Sequence, residues 1–355
     1  MKHNDPKISF CTVCMNRLHH LSKTLPQNIS DNRTYPYVEF VIVDYNSSDG
    51  LYEWISTNFR KELSTGLVRY YRTNQPHYFN RSHSRNMAFK KASGDVLCNI
   101  DADNFTGPFF AQYIGEYFKS NPNAFLTPDY SVRDVMGRLC VKATDFAEVR
   151  GFNEHLEGYG YDDMDIYKRL EAKGLLHGFI DKHPEFLNAI SHPNIERYQN
   201  EFLGKHIEKI YIAYLKPYLS EVIFFFNDGR YEKGRILDSE LIKARKLFRG
   251  SEDNEISLLS GWQSGSWLLK EENYLLSGNT QKLMKMVKVA EGAINYRDRI
   301  FFEVSDRNVF DQLIINKSEI DNRRKCFFHE SYVNRSSVNT EGYGQGELLE
   351  LVPKI

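Results

Sequence analysis

The sequence predicts an α/β domain on a parallel sheet in its first half and a mainly helical accessory region in its second. Three observations lead there. Short β-rich runs alternate with amphipathic stretches from Ile8 to about Phe118, the order that parallel strands with crossover helices require. The runs Val38 to Val43 and Val96 to Ile100 are largely apolar, as strands covered on both faces are. Further on, the pattern from Ile195 to Leu215 turns helical, and Leu237, Leu241, Ala244 and Phe248 form an apolar stripe at helical spacing.

Each element follows in order. Ile8 to Val13 reads as a strand, and Leu18, Leu21 and Leu25 carry the apolar face of the next helix. Val38 to Val43 is a strand, Leu51 to Leu63 a helix, Leu67 to Tyr71 a strand and Ser82 to Lys91 a helix. Val96 to Ile100 is a further strand, leading into a helix from about Pro108 to Phe118. Ligands of such sheets bind beyond the carboxyl ends of the strands, which directs attention to the loops after Val13, Val43 and Ile100. After Asn121 the alternation loosens: strands are expected near Ala124 to Leu126, Gly137 to Val141 and His177 to Ile180, and helices at Ala143 to Arg150 and Asp162 to Ala172. Gly250 to Glu255 reads as a linker or surface loop, and the Gly-rich stretch Thr340 to Gly346 as a mobile tail. The expected division is residues 1–200 and 201–355.

Composition excludes several classes. The 355 residues carry 46 Lys+Arg against 47 Asp+Glu, so no basic excess points to nucleic acid. No apolar run approaches the roughly 18 residues that span a bilayer, and the N-terminus lacks a signal-peptide core, so a cytoplasmic protein is expected. Five cysteines fit reduced thiols. Cys11 and Cys14 stand three apart on a strand and so face opposite sides, which argues against a shared metal. A second reading places the chain peripherally at a membrane. Lys243, Arg245, Lys246 and Arg249 lie beside the stripe at Leu237 to Phe248, where a helix could meet lipid-linked acceptors.

The chemistry-bearing residues lie at the expected strand ends. Asp101 and Asp103 follow the strand Val96 to Ile100, and alternate residues of an extended backbone would turn both carboxylates to one cation. Hard oxygen ligands suit Mg²⁺ or Mn²⁺, which then bridges a diphosphate. Asp44 ends its strand and leads into Asn46-Ser47-Ser48-Asp49-Gly50, a polar turn able to meet a base or ribose. Arg85 and Asn86 lie on the helix entering the Asp-x-Asp strand, where a guanidinium neutralises phosphate.

With these residues in view, Ile8 to Arg17, Val43 to Gly50, Ser84 to Asp103 and Gly137 to Leu170 resemble a GT-A glycosyltransferase of the family-2 type. The last segment also resembles a galactosyltransferase carboxy-terminal pattern. The resemblance covers roughly the first 200 residues and implies a GT-A fold, a nucleotide-sugar donor (usually a UDP-sugar) and a divalent cation, Mn²⁺ or Mg²⁺. It places Asp44 at the base, Asp101 at the ribose or metal, Asp103 at the metal and Arg85 at the diphosphate or base, with Arg17 and Asn46 also on the donor side. In the segment Asp162-Asp163-x-Asp165, Asp163 matches the general base and Asp162 the acceptor ligand. Asp162 stands where the family usually has Glu. Tyr159 and Tyr161 would stack on the acceptor or pack the loop. His192 matches a third metal ligand, with His183 as its competitor.

The implied reaction is inverting transfer of one sugar to a glycan or lipid-linked hydroxyl. The Gln-x-x-Arg-Trp pattern of processive synthases is missing, since Gln263-Ser264-Gly265-Ser266-Trp267 has Ser in place of Arg. The alternatives are a non-catalytic sugar-nucleotide or glycan-binding module and a sugar nucleotidyltransferase. The latter would want glycines after the first strand, where this chain has Cys14-Met15-Asn16-Arg17.

Overall fold

The computed structural model describes residues 5–129, 134–216, 218–237, 261–278, 283–328 and 338–352. The chain forms two compact units: Met1–Glu157 with Tyr161–Pro193 and Phe328–Ile355, and Gly158–Gly160 with Asn194–Phe327.

The first unit is the α/β half. It runs β1 (Ile8–Cys14), α1 (Leu18–Asn32), β2 (Val38–Tyr45), α2 (Leu51–Asn58), α3 (Arg60–Thr65), β3 (Val68–Thr73), α4 (Arg81–Lys91) and β4 (Val96–Asn99). Then follow β5 (Asn104–Phe105), α5 (Phe110–Ser120), β6 (Ala124–Thr127), β7 (Cys140–Lys142), α6 (Ala143–Glu148), α7 (Asp162–Ala172), β8 (Leu176–Phe179) and β9 (Asn188–Ala189). The sheet order is Leu349–Glu350, β3, β2, β1, β4, β7, β6, β8. Strands β1 to β4 are parallel, and β7 turns the other way beside β4. The chain order reverses on either side of β1, so a crevice opens past its carboxyl end.

Alternation explains why both faces are apolar. Ile8 and Phe10 of β1 pack with Leu21 and Leu25 of α1 and with Phe110 and Ile114 of α5. Cys11 and Val13 pack on the other side with Phe89 of α4, Phe146 of α6 and Ile166 of α7. Cys14 falls in the first core and Cys11 in the second, so the two thiols occupy opposite faces. The segment expected to be a mobile tail is instead packed. Asn339 Nδ2 donates to the carbonyls of Arg150 and Phe152, each at 2.7 Å, and Tyr343 packs against Phe146.

The second unit corrects the expectation of a mainly helical region. After short α8 (Ile195–Tyr198) and α9 (Phe202–His206) come eight strands: β10 (Ile207–Lys216), β11 (Leu219–Phe226), β12 (Arg230–Leu237), β13 (Gln263–Lys270), β14 (Asn273–Gly278), β15 (Leu283–Ala290), β16 (Ala293–Tyr296) and β17 (Arg299–Glu303). They form an antiparallel meander that closes into a barrel through β10 against β17, followed by α10 (Arg307–Phe328). The physical reason for the difference is burial on two sides. Tyr211, Ala213, Ile223 and Phe225 fill the barrel, while Ile210, Ile212, Val222 and Phe224 face outward against Leu313 and Ile314 of α10. A strand apolar on both faces offers no period-2 signal, and Ile207, Ile210, Tyr211 and Tyr214 imitate helical spacing. Of the stripe read as a helix, Leu237 ends β12; Leu241, Ala244, Phe248, the four flanking cations and the loop Gly250 to Glu255 lie outside the described residues. Gln263 to Trp267, compared above with the synthase pattern, is barrel strand β13. Among the described residues no helix is long and apolar enough to cross a membrane.

Candidate active site

The site assembles at the carboxyl ends of β1, β2 and β4. Asp44, fully buried, has both oxygens engaged: Oδ1 accepts from Ser47 N at 2.7 Å and Oδ2 from the Tyr70 hydroxyl at 2.5 Å. It therefore fixes the turn that follows. Asn46 sits in that turn with φ +64° and donates to the Pro76 carbonyl at 2.8 Å. The loop after β1 is tied to the same turn, since Asn16 N donates to Ser47 Oγ and Leu18 N to Asp49 Oδ2. Arg17 lies on this loop, and its charge acts on His192.

Residues 101–104 are not extended. A hydrogen bond from Asn104 N to the Asp101 carbonyl, 2.9 Å, closes a turn, so the two carboxylates meet different partners. Asp103 Oδ2 lies 2.9 Å from His192 Nε2, and that hydrogen bond, against partial burial, raises the imidazole above its usual range. His183 is elsewhere, exposed, 3.8 Å from Glu185 and against the Phe186 ring. Asp101 accepts from Asn99 Nδ2 at 2.9 Å and Arg85 Nη2 at 3.2 Å. Burial alone would push its carboxyl up, but Arg85 and Asn99 outweigh that and hold it below the ordinary carboxylate range.

Arg85 is the hub. Its guanidinium, 3% exposed, reaches three acids: Nη1 donates to Asp162 Oδ2 and Asp163 Oδ1, both at 2.8 Å, and Nη2 to Asp101. Asn80 starts α4 by accepting from His83 N with its side chain, which sets the helix that carries Arg85. Tyr161, at φ +72°, bends the chain into α7 so that Asp162 and Asp163 open the helix toward that guanidinium. Asp163 is pushed up to about 7, by burial first and the adjacent Asp162 charge second, with Arg85 opposing. A carboxylate so tuned can accept a proton near neutral pH. Tyr161 itself accepts from Lys168 at 2.9 Å. Tyr159 belongs to the second unit, where its backbone N–H donates to Ser318 Oγ and its hydroxyl accepts from Arg197.

Three supporting residues escaped the sequence reading. Asn99, two residues before Asp101, anchors that acid and also donates to the Gly137 carbonyl at 2.8 Å. Gly137 is a cradle: a Cβ there would collide with Arg85 Nη2 and stand 2.6 Å from Asp101 Oδ2. Arg138, fully buried, donates to the Phe105 carbonyl at 2.9 Å and to that of Phe186, pinning the loop beyond Asp103; burial lowers its guanidinium to about 10. The Asn99 signal lay in its position before the Asp-x-Asp, whereas nothing local marked Gly137 or Arg138.

The sheet order thus reverses at β1, and an Asp-x-Asp turn with a histidine partner and a second acidic cluster gather beyond the carboxyl ends of its strands. Residues 9–178 match the model of Glycosyl transferase family 2, and the first unit carries a glycosyltransferase domain of that family. No curated protein matches the chain. Among solved structures it is similar to the mannosyltransferase PcManGT of Pyrobaculum calidifontis, solved with GDP-Man and Mn²⁺: 17% identity over 50% of this chain and 55% of that one, TM-score 0.41. It is also similar to TarS of S. aureus with UDP-GlcNAc, at 12% identity over 53% of this chain and 62% of that one, TM-score 0.40. A third is Drosophila β-1,4-galactosyltransferase 7 with manganese, UDP-Gal and xylobiose, at 17% identity over 55% and 74%, TM-score 0.38. The chain thus spans little more than half the length of the first of these.

Proposed function

We propose that the first unit transfers a single sugar, with inversion, from a nucleoside diphosphate sugar of the UDP type to a hydroxyl of a glycan or lipid-linked acceptor. The observation that carries this is the cluster around Arg85, which places Asp163 beside the Asp-x-Asp turn where burial and the neighbouring Asp162 charge, against Arg85, push its carboxyl up to about 7. In the reaction the acceptor oxygen attacks the anomeric carbon, its proton passes to Asp163, and the bond from that carbon to the diphosphate oxygen breaks in line. One displacement inverts the centre. Asp162, on the same guanidinium and almost fully buried, orients the acceptor side of the site. Arg85 was expected at the donor; with its Nη atoms on three carboxylates, we assign it to positioning them. The nucleoside would lie across the ends of β1 and β2, near Asp44, Asn46 and Arg17.

Asp103 and His192 suit a divalent cation, because an oxygen and an imidazole nitrogen 2.9 Å apart form a hard-to-borderline donor pair fit for Mn²⁺ or Mg²⁺. Asp101, expected as a further ligand, is instead turned to Arg85 and Asn99 and forms no three-ligand cluster with this pair. When bound, the cation supplies positive charge to the departing diphosphate. The experiment is nucleotide release from a panel of UDP- and GDP-sugars, with and without Mn²⁺, for the intact chain and for Asp163→Asn. Transfer by the intact chain and its loss in the variant with donor binding retained supports the reading. Donor binding without turnover in the intact chain would leave a binding module instead.

A further inference from the structure

Ser318 and Asn322 stand about one turn apart on one face of α10, both buried, in a part of the chain beyond the residues matched to the family. A buried hydroxyl or amide must find hydrogen-bond partners, and both side chains direct a bond to the backbone of the same short segment. Tyr159 N donates to Ser318 Oγ at 2.6 Å, and Asn322 Nδ2 donates to the Gly160 carbonyl at 2.7 Å. Gly158 completes the fit, since a Cβ there would collide with Ser318 Oγ. The adjacent positions on α10 tie the helix to the barrel: Lys317 Nζ lies 2.6 Å from Glu232 Oε2, and the Trp262 indole donates to Asp321. The segment is therefore held by a helix that is itself fixed.

What is held is a strained turn. Gly158, Gly160 and Tyr161 have φ of +77°, +92° and +72°. The two glycines adopt such angles freely, but the Cβ of Tyr161 crowds its own backbone, so the residue stays there only when its surroundings impose it. The carbonyl that Asn322 binds belongs to the planar peptide joining Gly160 to Tyr161. Fixing that plane restricts ψ of Gly160 and φ of Tyr161 together. The next two residues are Asp162 and Asp163, which open α7.

We propose that Ser318 and Asn322 are positioning residues: by holding the turn at residues 158–161 they set where α7 begins, and so where Asp162 and Asp163 stand. The inference rests on the roles assigned above to those two carboxylates. Hydrogen exchange of the full chain tests it without any substrate. Peptides covering residues 158–165 should exchange about tenfold or more faster in Ser318→Ala and in Asn322→Ala than in the parent, with the barrel strands unchanged. Nucleotide release from UDP-galactose, UDP-N-acetylglucosamine or GDP-mannose should fall about 10–100-fold in kcat, as expected when a reacting group is displaced by about 1 Å, while KM for the donor stays within about twofold. Tyr211→Phe is the control, because it removes bonds to Tyr274 and Glu303 inside the barrel and should leave both readouts at parent values. Ser318→Ala is the milder change and carries the test alone should Asn322→Ala not fold. Unchanged exchange over residues 158–165, a kcat within twofold of the parent's, or an equal loss in Tyr211→Phe would overturn the proposal. Faster exchange in the variants of a parent that releases no nucleotide would uphold the hold on the turn and reject the transfer reading alone.

Discussion

Replacing Asp163 by Asn should make the first unit more stable at pH 8 while removing its chemistry. The cause is proton linkage. Asp163 has its carboxyl pushed up to about 7, against an ordinary value of 3.8, because it is buried beside Asp162 and Arg85 only partly compensates. The folded state therefore keeps a proton that the unfolded chain has already released. As pH rises from about 4 toward 7 the unfolded state gains ionisation energy that the folded state does not, so this group's contribution to stability falls across that window and is flat above it. At about 1.4 kcal/mol per pKa unit the full penalty is on the order of 4 kcal/mol, and about 2–4 kcal/mol is a fair range for a side chain that is partly exposed.

The asparagine of Asp163→Asn has no such penalty, because its side-chain carbonyl can still accept from Arg85 and it never ionises. The variant and the parent should have similar stability near pH 4, and the variant should gain about 2–4 kcal/mol by pH 8, or roughly 5–15 °C in the melting of this unit. Calorimetry of both proteins from pH 4 to 8 reads this directly. Transfer by the variant should drop about 10²–10⁴-fold, and the parent's kcat/KM should climb about tenfold per pH unit below 7 before levelling. A variant less stable than the parent at pH 8, or a parent profile flat from pH 5 to 8, would refute the assignment of a raised carboxyl and with it the base.

Three further outcomes are expected. Gly137→Ala should displace the Arg85–Asp101 pair, because the new methyl would collide with Arg85 Nη2 and stand 2.6 Å from Asp101 Oδ2; activity should fall with a loss of about 1–3 kcal/mol in stability, read by urea unfolding and nucleotide release. Asp103→Ala and His192→Ala should each raise the Mn²⁺ concentration needed for half-maximal activity. In the parent that requirement should grow as pH falls through the raised His192 pKa, since the proton competes with the metal; full activity of Asp103→Ala in excess chelator would rule the metal role out. Asn339→Ala removes the two donations to the Arg150 and Phe152 carbonyls and should cost about 1–3 kcal/mol, visible as earlier proteolysis near residues 150–154.

What the sequence made legible was local. The strands β1 and β2 are buried along their whole length, so their apolar runs stood out, and the acids follow those strands or the one beside them. Asp44, Asp101 and Asp103 could be named because a strand end in an open α/β sheet is a place where side chains must meet a ligand or one another. The role of Arg85 could not, because its three partners lie 16, 77 and 78 residues away, and only the folded sheet and α7 bring them to one guanidinium. The same limit hid the barrel: β13 and β15 are largely exposed, and β10 and β11 are buried on both sides, so neither pair alternates as a half-buried strand does.

The C-terminal glycines show the converse error, a correct local signal with the wrong consequence. Gly342, Gly344 and Gly346 have φ of +103°, +55° and +125°, conformations that a mobile loop and a tightly fitted one require equally. What decides between them is the surface met. A Cβ on Gly344 would lie 2.9 Å from the backbone of Asn86, and its N–H donates to Glu154, which also accepts from Asn86. Asn86 follows Arg85 on α4. The returning chain is therefore part of the scaffold that orients the hub, and the glycines permit close approach to α4 where the sequence suggested freedom from it.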